Sequence, residues 1–409
     1  MEAAAAAEER NPFAAERFPR WWTASLFAGT GVGIQAVTVP LFLRDRVDAD
    51  ERALVIAAAL IAQTLPGALL ALLGGVIADR VERRRILVRT YGVAAAVSVA
   101  YVLLAALEVR EIWPVFPLAA LVGAAGAFTN PARQSLLPQI VGPSQLQNGV
   151  IFGTMGFMAT LQFLGPMTGG IVTEAAGLQV AFGLETLFLL AAALLFAGVR
   201  APAPTPSGRS VGADLREGLS IVRGRPTLLG LLAMAAMPGI VFIGPFAVTV
   251  PILVPDVFGA GDKWVGILWG CFGAGVFVCS LLLAAVRLRM RGLAICLAMV
   301  SGGVTLLFYA GSETLTAATV VLFVWGCSAA VFINYVVALL QENTEPQYMG
   351  RVMSMYSLAF LAAAPLGHFQ AGVLTTAFGP TTTLLTSGVA AIVVGSLCAV
   401  FLRPVRDLR

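Results

Sequence analysis

Gly74-Gly75-Val76-Ile77-Ala78-Asp79-Arg80-Val81-Glu82-Arg83-Arg84-Arg85 joins two apolar stretches, at about 53–78 and 86–107, through a loop crowded with arginine. An apolar run of roughly 20–28 residues rises far enough as a helix to cross a ~30 Å hydrocarbon core. Working outward, the same pattern repeats at 21–43, 112–130, 146–173, 178–199, 226–255, 263–286, 292–310, 314–341, 348–376 and 380–402, so twelve crossings are expected. Threaded alternately, they leave only Arg44, Arg46, Arg52, Arg110 and Lys263 of the 26 Lys and Arg on one side. Basic residues stay cytoplasmic during insertion, which predicts both termini inside.

Composition agrees. Hydrophobic residues make up 58%, charged residues 12%, and the mean hydropathy is +0.88. A soluble domain so built would expose one continuous apolar surface. The net charge of +4 reflects the loop arginines and implies no nucleic-acid partner. Cys271, Cys279, Cys296, Cys327 and Cys398 lie inside apolar segments without metal-type spacing, and His368 is the one histidine. No metal site, nucleophile–base pair or GxxxxGK[ST] phosphate loop is legible, so neither an enzyme, a cofactor nor direct ATP use is expected.

Residues 1–20 read as a cytoplasmic tail and 21–199 as a first six-helix bundle. Ala201-Pro-Ala-Pro-Thr-Pro-Ser-Gly208 and the amphipathic stretch Asp214 to Arg223 read as a linker at 200–225 with a surface helix. A second bundle at 226–403 and a tail at 404–409 follow. The halves echo each other. Gly170-Ile-Val-Thr-Glu-Ala-Ala-Gly177 has the pattern of Gly372-Val-Leu-Thr-Thr-Ala-Phe-Gly379 at an offset of 202, and Phe128-Thr-Asn130 that of Phe332-Ile-Asn334 at 204. Duplicated six-helix halves are the signature of transporters that rock about a midplane site.

The opening stretch resembles the loop motif of the major facilitator superfamily, Gly-x-Leu-Ala-Asp-Arg-x-Gly-Arg-Arg, with Gly75, Asp79, Arg80, Arg83 and Arg84 in matching places. Glu82 stands where glycine is common, as in the siderophore- and macrolide-exporter branch. The resemblance implies a cytoplasmic gate in which Asp79 docks near Gln347–Arg351, with Arg133 as a partner and Arg351 at the docking end. Arg84 and Arg85 also suit contact with anionic lipid. Gly165-Pro166-Met167-Thr168-Gly169-Gly170 resembles the core of the superfamily's antiporter motif, through Gly165, Pro166, Gly169 and Gly170; Leu161 and Phe152 replace the glycines of its longer form. Asn130-Pro131-Ala132-Arg133-Gln134-Ser135-Leu136-Leu137-Pro138 with Gln145-Leu146-Gln147-Asn148-Gly149 is similar to the enterobactin-exporter-like and macrolide-efflux branch. The likeness runs over about residues 17–405.

Polar residues at membrane depth are costly and usually face a cavity. Gln35, Gln63, Gln162, Asn334 and Tyr335, with the aromatics Phe242, Phe246, Trp269 and Trp325, are therefore candidates to line one. No carboxylate falls in the middle of the first or fourth span. Glu185, about seven residues inside the sixth, and His368 in the eleventh are the candidates for proton coupling; structural roles remain open for both.

These readings predict an all-α integral membrane protein with twelve transmembrane helices in two six-helix pseudo-symmetric bundles, the major facilitator fold. The expected function is export of a hydrophobic or amphipathic small molecule, such as a drug, macrolide or siderophore, by alternating access with proton antiport. The protein is expected to be a monomer in the bacterial plasma (inner) membrane, with lipids as its other partners. The alternatives are a lipid or lysophospholipid flippase on the same fold, and a non-transporting receptor or assembly factor.

Overall fold

In a computed structural model the described residues are 11–199, 220, 222–285, 289–345 and 348–408, with the backbone alone at 72–80, 284 and 285. The linker and amphipathic stretch predicted at 200–225 fall almost wholly outside them. So do Gln347 and the side chains of Asp79 and Arg80, while Gly75 is described by its backbone alone. Among the described residues there is no strand. Lipid offers no partner to backbone N–H and C=O groups, so each crossing must satisfy its own as a helix.

The helices of the first half are α1 (Phe18–Arg44), α2 (Arg52–Arg80), α3 (Arg83–Ala106), α4 (Val115–Leu136), α5 (Leu146–Ala176) and α6 (Leu178–Ala197). The second half contains α7 (Pro226–Asp256), α8 (Lys263–Ala285), α9 (Arg291–Ala310) and α10 (Leu315–Glu342). The 53-residue stretch Met349–Phe401 completes it. At 1.5 Å per residue that stretch, as one helix, would run about 80 Å, far beyond one crossing. It breaks at Gly379, whose φ of 84° and ψ of 164° are non-helical, into α11 (349–378) and α12 (380–401). Twelve crossings result among the described residues, as the apolar pattern predicts.

The internal repeat is built into the backbone. Gly177, between α5 and α6, has φ 86° and ψ 166°, almost the values of Gly379 between α11 and α12. Both need the left-handed half of φ space, open to glycine at little cost. The close contacts repeat too. A Cβ on Gly165 of α5 would lie 2.7 Å from the Gly33 Cα of α1, and one on Gly367 of α11 would strike the Gly239 carbonyl of α7. Small residues let backbones touch where van der Waals contact is the main attraction in lipid.

Side chains such as Leu194, Phe308 and Phe401 are largely exposed on the outer surface, as lipid-facing groups should be. The halves fuse on the face opposite the termini, the distal face. There Phe42, Ile56, Ala57, Tyr101 and Phe182 of the first half share a core with Val248, Ile252 and Ala371 of the second. The core of the first half nearer the terminal face, from Phe18 to Val199, contains residues of that half alone.

Candidate functional site

Gln35 and Gln63 are neighbours. A small cleft between α1 and α2 is lined by Gln35, Val39, Pro40, Leu43, Ile56 and Gln63, among others. The Gln63 side-chain amide donates to Gln35 Oε1 at 3.2 Å, and Gln35 Nε2 donates to Glu185 Oε1 at 2.9 Å. Glu185 sits on α6 behind α1 and is 0% exposed, and its Oε2 has no hydrogen-bond partner. Ser98 of α3, close by, donates to the Phe182 carbonyl. Two amides of the predicted cavity set and one predicted proton-coupling carboxyl thus belong to a single chain of hydrogen bonds ending at the cleft.

His368 is apart from this group. It is buried in α11 against Gly244 of α7, and its Nδ1 has no partner. Gln162 lies in a π-helical turn of α5, Thr160–Leu164, where its backbone meets Gly273 of α8. Asn334 donates to Ser280 Oγ and to the Ala330 carbonyl. Phe242, Phe246, Trp269 and Trp325 form one ring cluster with Phe272, with centroids 4.6–5.6 Å apart. They belong to the core of the second half, as does Tyr335, whose hydroxyl lacks a partner.

The Gly165-Pro166-x-x-Gly169-Gly170 motif is a three-helix junction. Gly165 and Pro166 meet Gly33, and Gly169 meets Ile34, all on α1. Across the halves, Gly170 abuts Gly266 of α8, and the Pro166 carbonyl crowds the same residue. The preceding π turn absorbs the register change where Pro166 lacks an N–H. Helix α7 repeats the device: a π turn over Gly239–Ile243 precedes Gly244-Pro245. Sequence reasoning passed over that second copy, although the Gly-Pro dipeptide was its signal.

The cytoplasmic-gate set is partly visible. Arg84 Nε pairs with Glu82 at 2.8 Å and its Nη1 reaches the Ala197 carbonyl of α6, a contact inside the first half. Arg133 is 4% exposed, with its guanidinium 3.8 Å above the Phe157 ring. The Arg351 guanidinium lies 5.6 Å from the Tyr348 ring centroid. The predicted docking of Asp79 falls outside the described side chains.

Sequence reasoning missed the distal ion pairs. Arg44 on α1 meets Asp262 before α8 at 2.8 Å, Arg52 on α2 meets Asp256 on α7 at 3.6 Å, and Glu174 on α5 meets Lys263 on α8 at 2.7 Å. Each joins one half to the other. The signal was present: the scarce basic residues of that side sit at helix ends, and so do its acids. On the terminal face, the ion pairs Arg225–Glu345 and Arg291–Glu342 stay within the second half.

Among the described residues no group of three or more His, Cys, Asp or Glu is placed to hold a metal. Comparison with known proteins gives the frame. The chain is 28% identical to the multidrug efflux pump Tap of Mycolicibacterium fortuitum, over 94% of this chain and 95% of that protein. It is 23% identical to macrolide efflux protein A of Streptococcus pyogenes, over 85% and 87% respectively. Its fold matches the nucleoside transporter NupG (TM-score 0.73, 12% identity, 94% and 100% covered). It likewise matches a bacterial homologue of the human lysosomal transporter Spinster, inward-facing and unoccupied (TM-score 0.71, 16% identity, 96% and 98% covered). Residues 7–408 match the model of the transmembrane secretion effector family. The chain therefore belongs to that family, and is a multi-pass membrane transporter of the major facilitator superfamily rather than an enzyme.

Proposed function

We propose that this transporter exports a hydrophobic or amphipathic drug-like compound from the bacterial cytoplasm across the plasma membrane, by alternating access in exchange for protons. Both termini are cytoplasmic in this reading, so the distal face is the external one and the ion-paired closure there belongs to an inward-facing state. Near-full-length similarity to two efflux proteins supports drug-like cargo. The observation that carries the coupling is the buried Glu185 carboxyl, hydrogen-bonded through Gln35 to the cleft residue Gln63. An acid buried in the bundle interior without a basic partner is costly unless it has a task. His368, buried with an unpartnered ring nitrogen, is the second candidate.

Everted vesicles carrying the protein and a fluorescent drug test this. An inside-acid gradient should drive uptake, and a protonophore should abolish it. Uphill uptake that persists in the protonophore would remove antiport. Movement of lysophospholipid, but of no drug, in proteoliposomes would instead favour the flippase.

A further inference from the structure

We infer that Gln35 and Gln63 are a polarity relay between Glu185 and the cleft, and that the cargo is a lipophilic amine bearing an N–H⁺ donor. This rests on the proton-antiport reading and adds to it a mechanism and a substrate class.

The relay follows from what each group can donate. A carboxylate only accepts hydrogen bonds, whereas a carboxylic acid can also donate one. With Glu185 ionised, Gln35 must turn its NH₂ toward it, as it does at 2.9 Å. The Gln35 carbonyl then faces Gln63 and accepts from its NH₂, as it does at 3.2 Å. The Gln63 carbonyl oxygen remains for the cleft, which Gln63 lines. A proton on Glu185, donated to the Gln35 carbonyl, reverses both amides by rotation alone: Gln35 donates to Gln63, and the Gln63 NH₂ faces the cleft. No covalent bond other than O–H changes, and the proton comes from water or returns to it.

The polarity of the wall thus reports the protonation of an acid that the cargo never touches. A ligand presenting an N–H⁺ prefers the carbonyl-facing wall, hence the ionised acid, and its binding expels the proton. By reciprocity, the proton expels the ligand. An acceptor-only ligand would couple with the opposite sign. Among the described residues no charged side chain shares the site with Glu185. The groups facing Glu185 are Gln35 from α1 and Ser98 and Tyr101 from α3, and the Tyr101 hydroxyl is 3.4 Å from the Val115 carbonyl. On α5 the titratable residue is Glu174, at the distal end and paired with Lys263. Arg44 on α1 is likewise distal and paired with Asp262.

The test uses the full-length protein in detergent, a dansyl-labelled tertiary alkylamine that stays protonated throughout the range, and its N-methyl quaternary analogue. For wild type, amine affinity should rise with pH by up to tenfold per unit across the titration of one linked acid, with about one proton released per ligand bound. The quaternary ion carries the charge without the donor and should show at most a twofold change. Glu185→Gln should bind the amine independently of pH. Gln63→Met keeps the length and removes both amide groups; it should bind the amine more weakly and without dependence on pH, melt within a few degrees of wild type, and release no proton when saturated with ligand. Proton release undiminished in Gln63→Met would overturn the relay while leaving antiport intact. Equal pH dependence for amine and quaternary ion would overturn the donor requirement. Protonophore-insensitive efflux, by contrast, would sink the antiport reading beneath both.

Discussion

The two halves share a backbone and not a chemistry. Gly33 against Gly165 in the first is matched by Gly239 against Gly367 in the second, and the hinge glycines 177 and 379 agree in φ to within a few degrees. The first half buries Gln35, Glu185 and Arg133, with Gln63 half-buried beside Gln35, whereas the second buries Phe242, Phe246 and Trp325. Duplication thus fixed how the helices cross, and the buried side chains diverged on that frame. Polar groups in a low-dielectric interior must be satisfied or given a task, so the first half is the place to look for coupling. Aromatic clusters supply large apolar contact, so the second half is expected to hold the firmer core.

If the glycine contacts are equivalent, breaking either should be equally severe. Gly165→Val and Gly367→Val each push a side chain into backbone on the facing helix, where no rotamer change gives relief. Overpacking commonly costs about 1–3 kcal/mol and more where backbone must move. Neither variant should yield folded protein, as judged by recovery of a monodisperse species in detergent. A stable Gly367→Val beside a lost Gly165→Val would mean that the repeat is in sequence only.

Chemical divergence predicts an asymmetric response next. Trp325→Ala opens a cavity among Phe242, Phe246 and Phe272 and should cost about 3–5 kcal/mol of stability. Its pH dependence of binding should be unchanged, because it touches none of the groups between Glu185 and the cleft. Thermal unfolding paired with ligand titration reads both. A Trp325→Ala protein of normal stability would deny the second half its role as the firmer body.

How legible this was in the sequence follows from which forces are local. Crossing number was readable because hydrocarbon thickness acts on each segment separately; Gly379 could break the stretch 349–401 where the 348–376 and 380–402 runs part. Gln35, Gln63 and Glu185 could be singled out as polar at depth. Their mutual bonding could not, since 28 and 150 residues separate the partners and the helix crossing angles decide who meets whom. The aromatics were expected around a cavity, and they pack chiefly on each other, a choice that composition leaves open. The distal ion pairs escaped for a different reason. Arg44, Arg52 and Lys263 were weighed as exceptions to a charge asymmetry, and a tally carries no pairing.

Those pairs sharpen the comparison at the seam, and burial ranks them. The Arg44 and Asp262 side chains are 10% and 23% exposed, and Arg44 also reaches Asp45 and the Pro251 carbonyl. Removing it strands a partly buried carboxylate, so Arg44→Met should cost about 1–3 kcal/mol. A double-mutant cycle with Asp262→Asn should recover part of that as coupling.

Lys263→Met should do least. The Lys263 and Glu174 side chains are 46% and 32% exposed, where water screens the pair and each flexible side chain loses freedom on pairing. A loss of below about 1 kcal/mol is expected, fading further in 1 M salt. Glu174 also accepts from the Lys263 backbone N–H at 3.0 Å, a bond that the substitution leaves in place. Gly170 against Gly266, one turn inward, continues to hold α5 to α8 whatever the charge does. If Lys263→Met instead proved as damaging as Arg44→Met, the seam would depend on charge count rather than burial, and ion pairing rather than close backbone packing would be what closes this face.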